Sequence, residues 1–398
     1  MRLSIKKNNM INIYCYISLI VILYLSGSIY NVVYDEYRRY VFGFAIFILS
    51  IGIVVTFPYI ISDYAKELLG CIVVASLFLL AGLINGSTLT IMLGLCSRIL
   101  SIFIFVTFCV IKKIDILEIL FHLIFYIAIV YLVFYLVFDY ELVKIEPRWV
   151  IVFPDTDVQS IYRSYLDIYY RSQGKLDLFG FVLIRSNGPF WEAGMYQIFL
   201  NWSLVYAWFV RENSDLPQYK TNIIIIAIVF TTSTAGIINL LILFFLRYIY
   251  NKKSAYLLPF VIVIGSGIIY ALYDLMSSKL ETRSYYDRTG ALYEALSLFI
   301  EKPLFGHGAS IFVIAGLLGY IIKFGLIGFF PIIYFIRIVL INKILYHKEK
   351  IAILLWWGVS LMTQPIESSY FFIFIYMCFA ICYKYSDIRA EEAYERKK

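Results

Sequence analysis

Residues 88–111 read TLTIMLGLCSRILSIFIFVTFCVI, and residues 114–138 read IDILEILFHLIFYIAIVYLVFYLVF. Each run holds at least the roughly 20 mostly apolar residues that an α-helix needs to cross a bilayer. Lys112 and Lys113 separate the two runs. The pair therefore predicts two membrane-spanning helices that are joined by a short basic loop.

The whole chain shares the apolar character of this pair. Of its 398 residues, 62% are hydrophobic and 15% are charged, and the mean hydropathy is +0.82. An ordinary soluble domain has roughly 25% charged residues, and a water-soluble protein of this size could not bury so much apolar surface. The composition predicts an all-α polytopic integral membrane protein, and it excludes a soluble enzyme, a secreted scaffold and a disordered chain. The net charge of +7 lies mostly at the ends of apolar runs, so it is no argument for nucleic acid as a partner.

Basic residues between the apolar runs set the orientation. By the positive-inside rule, the N-terminus, the short basic loops and the C-terminal tail are cytoplasmic. The loops at 211–220 and 251–254 then lie on one side, so the run 222–250 must cross twice or not at all. One long tilted span is the alternative, but it breaks the topology of the rest, and we favour two short helices with a turn near residues 231–236. The chain becomes a single transmembrane domain, 1–398, with about 12 transmembrane helices and both termini in the cytoplasm. The apolar segments are 11–30, 40–60, 67–84, 88–111, 114–138, 195–210, 222–250, 255–275, 310–341, 351–362 and 368–383.

The run 310–341 is longer than one span requires. We interpret 310–322 as a helix that lies along the membrane or re-enters it, and 324–341 as the span proper. Four glycines in this region favour close contact between helices.

Two loops are much longer than the others, at 139–194 and 277–310. With the N-terminus in the cytoplasm, both lie on the outer face of the membrane, and long loops in compact proteins are usually functional or disordered. Both are rich in aromatic residues, so we expect them to be ordered. Apolar residues between 156 and 171 recur at helical spacing and predict an amphipathic helix in the membrane interface or over a cavity.

The end of the first long loop contains a candidate site. The turn signal Asn187-Gly188-Pro189 brings Arg185 back toward Glu192, which stands where the next span begins. An arginine and a carboxylate at a membrane surface form either a plain ion pair or part of a functional site. Trp191 and Tyr196 would suit the faces of sugar rings, and they would equally suit an aromatic belt at the membrane surface.

The second long loop contains further candidates. Arg283 and Arg288 bracket Tyr286, and arginine side chains bind phosphate oxygens through two parallel hydrogen bonds. The alternative is an ordinary solvated charged loop. His307 lies between two glycines that would allow a ligand to approach the backbone closely.

Arg98 lies near the middle of the run 88–111. An arginine inside a membrane span is costly and suggests a functional site. The alternative is an assembly ion pair with Glu118 or Glu367. The sequence contains no nucleotide-binding loop, no paired histidines for a metal and no Asp-x-Asp motif, so the donor of any group transfer is expected to be bound to the membrane already.

Several motifs, taken in order along the chain, resemble those of the bacterial O-antigen polymerases (Wzy), a family within the wider group that also holds the O-antigen ligases. They are Arg185 with Gly188-Pro-Phe-Trp-Glu-Ala-Gly, then Thr231-Thr-Ser-Thr-Ala-Gly, Arg288, Pro303-Leu-Phe-Gly-His-Gly and Lys323-Phe-Gly-Leu-Ile-Gly. The resemblance extends to the architecture, which is similar to that of GT-C glycosyltransferases, with two large periplasmic loops separated by four spans. The chain departs from the family in having no arginine after Ser233.

The resemblance implies a glycosyltransferase at the periplasmic face of the bacterial inner membrane. Such an enzyme joins oligosaccharide repeat units carried on undecaprenyl diphosphate into O-antigen or a similar surface polysaccharide, as a step of lipopolysaccharide biosynthesis. It needs no metal and no cofactor. The expected partners are the lipid-linked oligosaccharides, membrane lipid and a polysaccharide chain-length regulator.

These residues suit that chemistry on physical grounds. Fixed guanidinium groups stabilise the negative charge that develops on a leaving diphosphate, and Arg185, Arg283 and Arg288 are the candidates. The attacking sugar hydroxyl needs a proton acceptor. Glu192 is the best-placed carboxylate for that role, and His307 is the alternative base. We assign Arg98, Arg283, Tyr286, Trp191 and Tyr196 to substrate binding.

Two other functions remain open. An O-antigen ligase would transfer finished polymer to lipid A–core and would need a histidine after the arginine of the second loop, where His307 is the candidate. A lipid-linked oligosaccharide flippase would also have about twelve spans, but it should have short loops throughout and two similar halves. The two long loops favour the polymerase over the flippase.

Overall fold

The computed structural model describes most of the chain: residues 2–28, 35–86, 89–139, 146–152, 160–166, 169–178, 181–211, 216–250, 296–308, 316–342, 345–363 and 369–382. The predicted span 255–275 and residues Arg283, Tyr286, Arg288 and Glu367 lie outside the described residues.

Helices dominate the described residues and follow the apolar runs of the sequence. A π-helical turn extends α6, α7 and α13 at their C-terminal ends, at Tyr135–Asp139, Tyr206–Val210 and Cys378–Cys382. The helices are α1 Arg2–Gly27, α2 Asp35–Ser50, α3 Ile53–Ser62, α4 Ala65–Ile84, α5 Leu89–Ile111, α6 Ile116–Phe134, α7 Ala193–Val205, α8 Gln218–Phe230, α9 Thr234–Tyr250, α10 Gly316–Phe324, α11 Phe329–Ile341, α12 His347–Thr363 and α13 Tyr370–Met377.

Five helical stretches of the described residues are long and apolar enough to cross a membrane, so the chain is a helical membrane protein. A sixth appears when α2 and α3, which meet at a 62° bend, are taken as one broken span. The five stretches are Met10–Gly27, Ala65–Ile84, Met92–Ile111, Ile116–Phe138 and Gly319–Ile341. The last one crosses the break between α10 and α11, so by length and composition this candidate span includes residues before the predicted start at 324.

The predicted break in the run 222–250 is confirmed. Helix α8 ends at Phe230 and α9 begins at Thr234. The hydroxyl of Thr231 donates to Ile228 O and accepts from Ser233 N, so the buried turn satisfies part of its own backbone. That two short helices each cross the membrane remains a prediction.

Helix α7 lies at the centre of the bundle, because every side chain from Ala193 to Val205 is buried. Residues of three later helices are among its contacts. Asn201 donates to Gly236 O at 3.3 Å, Trp356 donates through Nε1 to Ile198 O at 3.2 Å, and Phe371 packs on Phe199. Helix α7 contains three buried polar residues, Gln197, Asn201 and Ser203. Buried polar groups need hydrogen-bond partners within the protein, and the central position of α7 surrounds these side chains with protein rather than lipid.

The first long loop folds as a four-stranded antiparallel sheet, and the amphipathic helix predicted over 156–171 is wrong. The strands pair in the order β1-β2-β3-β4. Leu166, at a φ of 54°, lies in the reversal between β2 and β3, and it places Tyr165 directly opposite Tyr169. The strands are β1 Arg148–Val152, β2 Ser160–Tyr165, β3 Tyr169–Leu178 and β4 Phe181–Gly188.

The sheet is anchored on the end of α6 by aromatic packing. The Tyr165 ring stacks on Phe138 with centroids 4.6 Å apart, and Tyr169 packs against Tyr131 and Phe134. We call the end of the bundle that carries the sheet, where α1 ends and α7 begins, the sheet end.

Candidate functional site

The connection from β4 to α7 fixes the geometry of the candidate site. β4 ends at Gly188, whose φ of +60° is a conformation that L-residues with a side chain rarely adopt. The buried side chain of Asn187 reaches across the turn and donates to Trp191 O at 3.2 Å. The predicted turn at Asn187-Gly188-Pro189 is therefore confirmed.

Arg185 and Glu192 are brought together by this turn. The guanidinium Nη2 of Arg185 lies 3.3 Å from Glu192 Oε1, and the two side chains are 32% and 18% exposed. Glu192 occupies the N-cap position of α7, yet its side chain makes no capping bond and is directed to Arg185 instead. The pair is thus partly shielded from solvent but accessible, which is a suitable state for groups that must exchange partners with a ligand.

The two aromatic candidates of this region have different environments. Trp191 is half-buried, and its backbone N–H donates to Gly27 O at 3.0 Å. Tyr196 is fully buried below the turn, between Phe190 and Tyr131. Tyr196 therefore supports the turn from within, and of the two only Trp191 has a ring surface that a sugar could reach.

Arg98 faces aromatic rings on α2 and α13. Its guanidinium carbon lies 4.7 Å from the centroid of the Tyr370 ring and 5.7 Å from that of Phe42. Such contacts stabilise a cation in an apolar environment. The proposed pairing with Glu118 is wrong, because Glu118 lies near the start of α6, where it binds Arg211 and His122. The hydrogen bond with Glu118 raises the pKa of Arg211.

The end of α1 connects the Arg185–Glu192 pair with the surroundings of Arg98. Ser26 Oγ accepts a 2.8 Å hydrogen bond from Phe371 N, the residue after Tyr370. The next residue of α1, Gly27, accepts from Trp191 N, the residue before Glu192. Two hydrogen bonds through two adjacent residues thus join both arginine regions at the sheet end.

His307 lies in a separate arrangement, which we call the 303–308 segment. Its Nε2 is 2.7 Å from Leu298 O, and because a carbonyl only accepts, Nε2 must carry the hydrogen. The backbone of the segment is bonded to the end of α10: His307 N donates to Ile322 O and Gly308 N to Lys323 O. Gly306 has a φ of +68°, and a Cβ there would overlap Ile322 O. The imidazole is thus used in holding the backbone together.

Two arginines that were not selected from the sequence lie on the sheet. Arg163 and Arg171 are directly opposite each other on β2 and β3, and Arg163 stacks at 5.1 Å on the half-exposed ring of Trp149. Like charges directly opposite each other destabilise a sheet. Predicting a hairpin over residues 163–171 would have revealed that Arg163 lies opposite Arg171, because residues at equal distances from the turn of a hairpin are paired.

No group of three or more His, Cys, Asp or Glu side chains in the described part of the chain is arranged to hold a metal ion. Arg283, Tyr286 and Arg288 lie outside the described residues, so their roles stay predictions.

The chain was also compared with known proteins. No family model matches it, and no curated protein or solved structure matches it either.

Proposed function

We propose that this protein is a polysaccharide polymerase that joins lipid-diphosphate-linked oligosaccharide repeat units. The observation that carries the proposal is the Arg185–Glu192 pair, held in a shaped turn and connected through the end of α1 to the surroundings of Arg98. The resemblance to the O-antigen polymerases supplies the substrate class. About twelve spans, periplasmic loops at 139–194 and 277–310, cytoplasmic termini and an inner-membrane location belong to the same proposal.

The pair suits a transfer between two lipid-linked substrates. In the resting site Glu192 accepts a hydrogen bond from the Arg185 guanidinium. When a diphosphate arrives, Arg185 binds its oxygens and releases Glu192. A hydroxyl of the acceptor sugar then loses its proton to Glu192, and its oxygen attacks the anomeric carbon of the donor. The bond to the diphosphate breaks, and the leaving group departs with the electron pair, stabilised by Arg185.

Arg98 is the second proposed phosphate ligand. It lies between aromatic rings on a membrane helix. Burying an ionised side chain there costs desolvation free energy, so such a residue is a candidate for a functional role. Arg98→Ala should abolish polymer while protein levels stay normal, and Arg98→Lys should keep part of the activity. Depletion of Arg98→Ala from the membrane would mean an assembly role, and normal polymer from it would exclude Arg98 from the site.

The experiment that tests the function is silver-stained lipopolysaccharide from a strain that lacks the gene. Core carrying one repeat unit is the expected result, because repeat units would still be made and ligated. Bare core with accumulated polymer would instead identify a ligase, and bare core without polymer would favour a flippase. Restoration by the wild-type gene and not by Glu192→Gln would tie the activity to the site.

A further inference from the structure

The tip of the β2–β3 hairpin lies beside the end of a membrane-spanning helix. The Tyr165 ring stacks on Phe138, the last residue of the candidate span Ile116–Phe138, with the ring centroids 4.6 Å apart. Leu166, the next residue of the hairpin, is 61% exposed. A large apolar side chain that faces outward at the end of a span is suited to contact with acyl chains. The hairpin tip therefore lies at the border of the hydrocarbon layer.

Three side chains cross the sheet next to this tip. Trp149 on β1 is directly opposite Arg163 on β2, which is directly opposite Arg171 on β3. Side chains directly opposite each other in neighbouring strands lie on one face of the sheet, with Cβ atoms about 4.5–5.5 Å apart. The Arg163 guanidinium stacks on the Trp149 ring, which is 53% exposed, and both arginines are half-buried. We call these three residues the cationic row.

The cationic row lies at the depth of lipid headgroups. Arg163 is two residues from Tyr165 along β2, and Arg171 is two residues from Tyr169 along β3. Two residues of a strand span about 7 Å. The headgroup layer extends roughly 5–7 Å beyond the hydrocarbon on each side of a bilayer. Because Tyr165 stacks on the end of the span, both arginines lie within or directly beside the layer that contains the lipid phosphates.

The cationic row is separate from the Arg185–Glu192 pair. Arg171 is directly opposite Ser186 on β4, and successive side chains of a strand point to opposite faces of the sheet. Arg185, the neighbour of Ser186, therefore projects from the other face, where it meets Glu192. An anion that binds at the cationic row is thus a different ligand from the diphosphate of the proposed transfer.

We propose that the cationic row binds the phosphate group of an anionic phospholipid in the leaflet at the sheet end. Two neighbouring guanidinium groups repel each other, and a shared phosphate accepts charge-assisted hydrogen bonds from both. The Trp149 ring holds Arg163 in place, and tryptophan is itself enriched at membrane surfaces. With Leu166 at the hydrocarbon border, the hairpin contacts both the headgroup and the acyl chains of one leaflet. This inference does not depend on the proposed polymerase function.

The test measures the affinity of the purified full-length protein for phosphatidylglycerol in a neutral detergent, by native mass spectrometry. One arginine near anionic lipid contributes about fivefold in affinity, so Arg163→Gln and Arg171→Gln should each weaken binding by about that factor. The matched control is Arg148→Gln, because Arg148 precedes Trp149 and projects from the opposite face. It should stay within about twofold of wild type. Arg163→Lys keeps the charge without the bidentate geometry, should be intermediate, and repeats the test should Arg163→Gln fail to fold.

Competing ligands identify the occupant. Phosphatidylglycerol should bind about fivefold or more tightly than phosphatidylcholine, whose headgroup has no net charge, and an oligomer of uronic acids should not displace it. Displacement by that oligomer would overturn the proposal in favour of an acidic saccharide, and a preference for undecaprenyl diphosphate would make the cationic row part of the substrate site. An equal loss from Arg148→Gln would mean diffuse attraction without a site. Binding that Arg163→Gln and Arg171→Gln leave intact would place the lipid elsewhere.

Discussion

The β4–α7 turn and the 303–308 segment look alike in sequence but differ in what their titratable residue does. Each places one residue that could accept a proton, Glu192 or His307, within a glycine-containing motif. In the turn, backbone and Asn187 hold the shape, and the Glu192 side chain meets another side chain. In the 303–308 segment the imidazole itself bonds a backbone carbonyl. The Glu192 carboxylate therefore faces a cationic side chain, whereas the His307 imidazole serves the backbone, and Glu192 is the better candidate for chemistry.

The strongest test of this contrast is Glu192→Gln, which keeps the size of the side chain and removes its basicity. We expect the rate of polymer formation to fall about a hundred- to ten-thousandfold, the usual contribution of a general base. The measurement is polymer made by membranes that are supplied with lipid-linked repeat units. Glu192→Asp should retain part of the rate. A wild-type rate from Glu192→Gln would transfer the role of base to His307.

Arg185 should show a similar but smaller effect. Removing one fixed donor to a developing anion costs about a hundred- to a thousandfold in rate, so Arg185→Ala should lose that much in the same assay. Arg185→Lys keeps the charge without the bidentate geometry and should be intermediate. Lys112→Ala, at the opposite end of the bundle, serves as a charge-matched control and should be neutral. If Arg185 only forms a surface ion pair, worth about 0–1 kcal/mol, Arg185→Ala would be nearly as active as wild type.

The glycines of the two motifs should differ in their effect on stability. Gly306→Ala would overlap the backbone at Ile322 O and Gly325 N, whereas Gly188→Ala would meet tyrosine rings at 3.1–3.2 Å. Both lose about 1–3 kcal/mol to the left-handed conformation, but rings yield more easily than backbone. Gly306→Ala should therefore lower the thermal midpoint of the purified protein more than Gly188→Ala does. The reverse order would mean that the 303–308 segment is the more adaptable of the two.

The smallest effect is expected for His307→Gln. A glutamine amide can replace the Nε2–H donor to Leu298 O, so stability should fall by about 1 kcal/mol or less, and polymer formation should continue. His307→Leu removes the donor and should destabilise the protein further without abolishing the activity of the folded fraction. A stable but inactive His307→Gln would reverse the contrast and make the imidazole the base.

The sequence predicted the positions of most helices, because long apolar runs are a strong and local signal. The turn that joins Arg185 to Glu192 was predictable for the same reason, since Asn187-Gly188-Pro189 acts within a few residues. The partners of Arg98 were not. Phe42 and Tyr370 come from distant parts of the chain, and no local pattern indicates which helices will be neighbours.

The helix predicted over 156–171 failed for a geometric reason. Tyr165 and Tyr169 are four residues apart, a spacing that places two side chains on one face of a helix. The same spacing places them directly opposite each other across a tight strand reversal, which is what occurs. A helix and a hairpin would therefore both bring Tyr165 and Tyr169 together. Only the hairpin also places Arg163 opposite Arg171.

The burial of α7 on every side has a consequence for how the protein is made. The residues that cover it, among them Gly236, Trp356 and Phe371, leave the ribosome after α7 itself. During synthesis, the polar side chains of Gln197 and Asn201 therefore lack this cover until α9, α12 and α13 have been made. Helices α12 and α13 thus complete the packing around the segment that begins at Glu192, and the candidate site is fully packed only after both have been made.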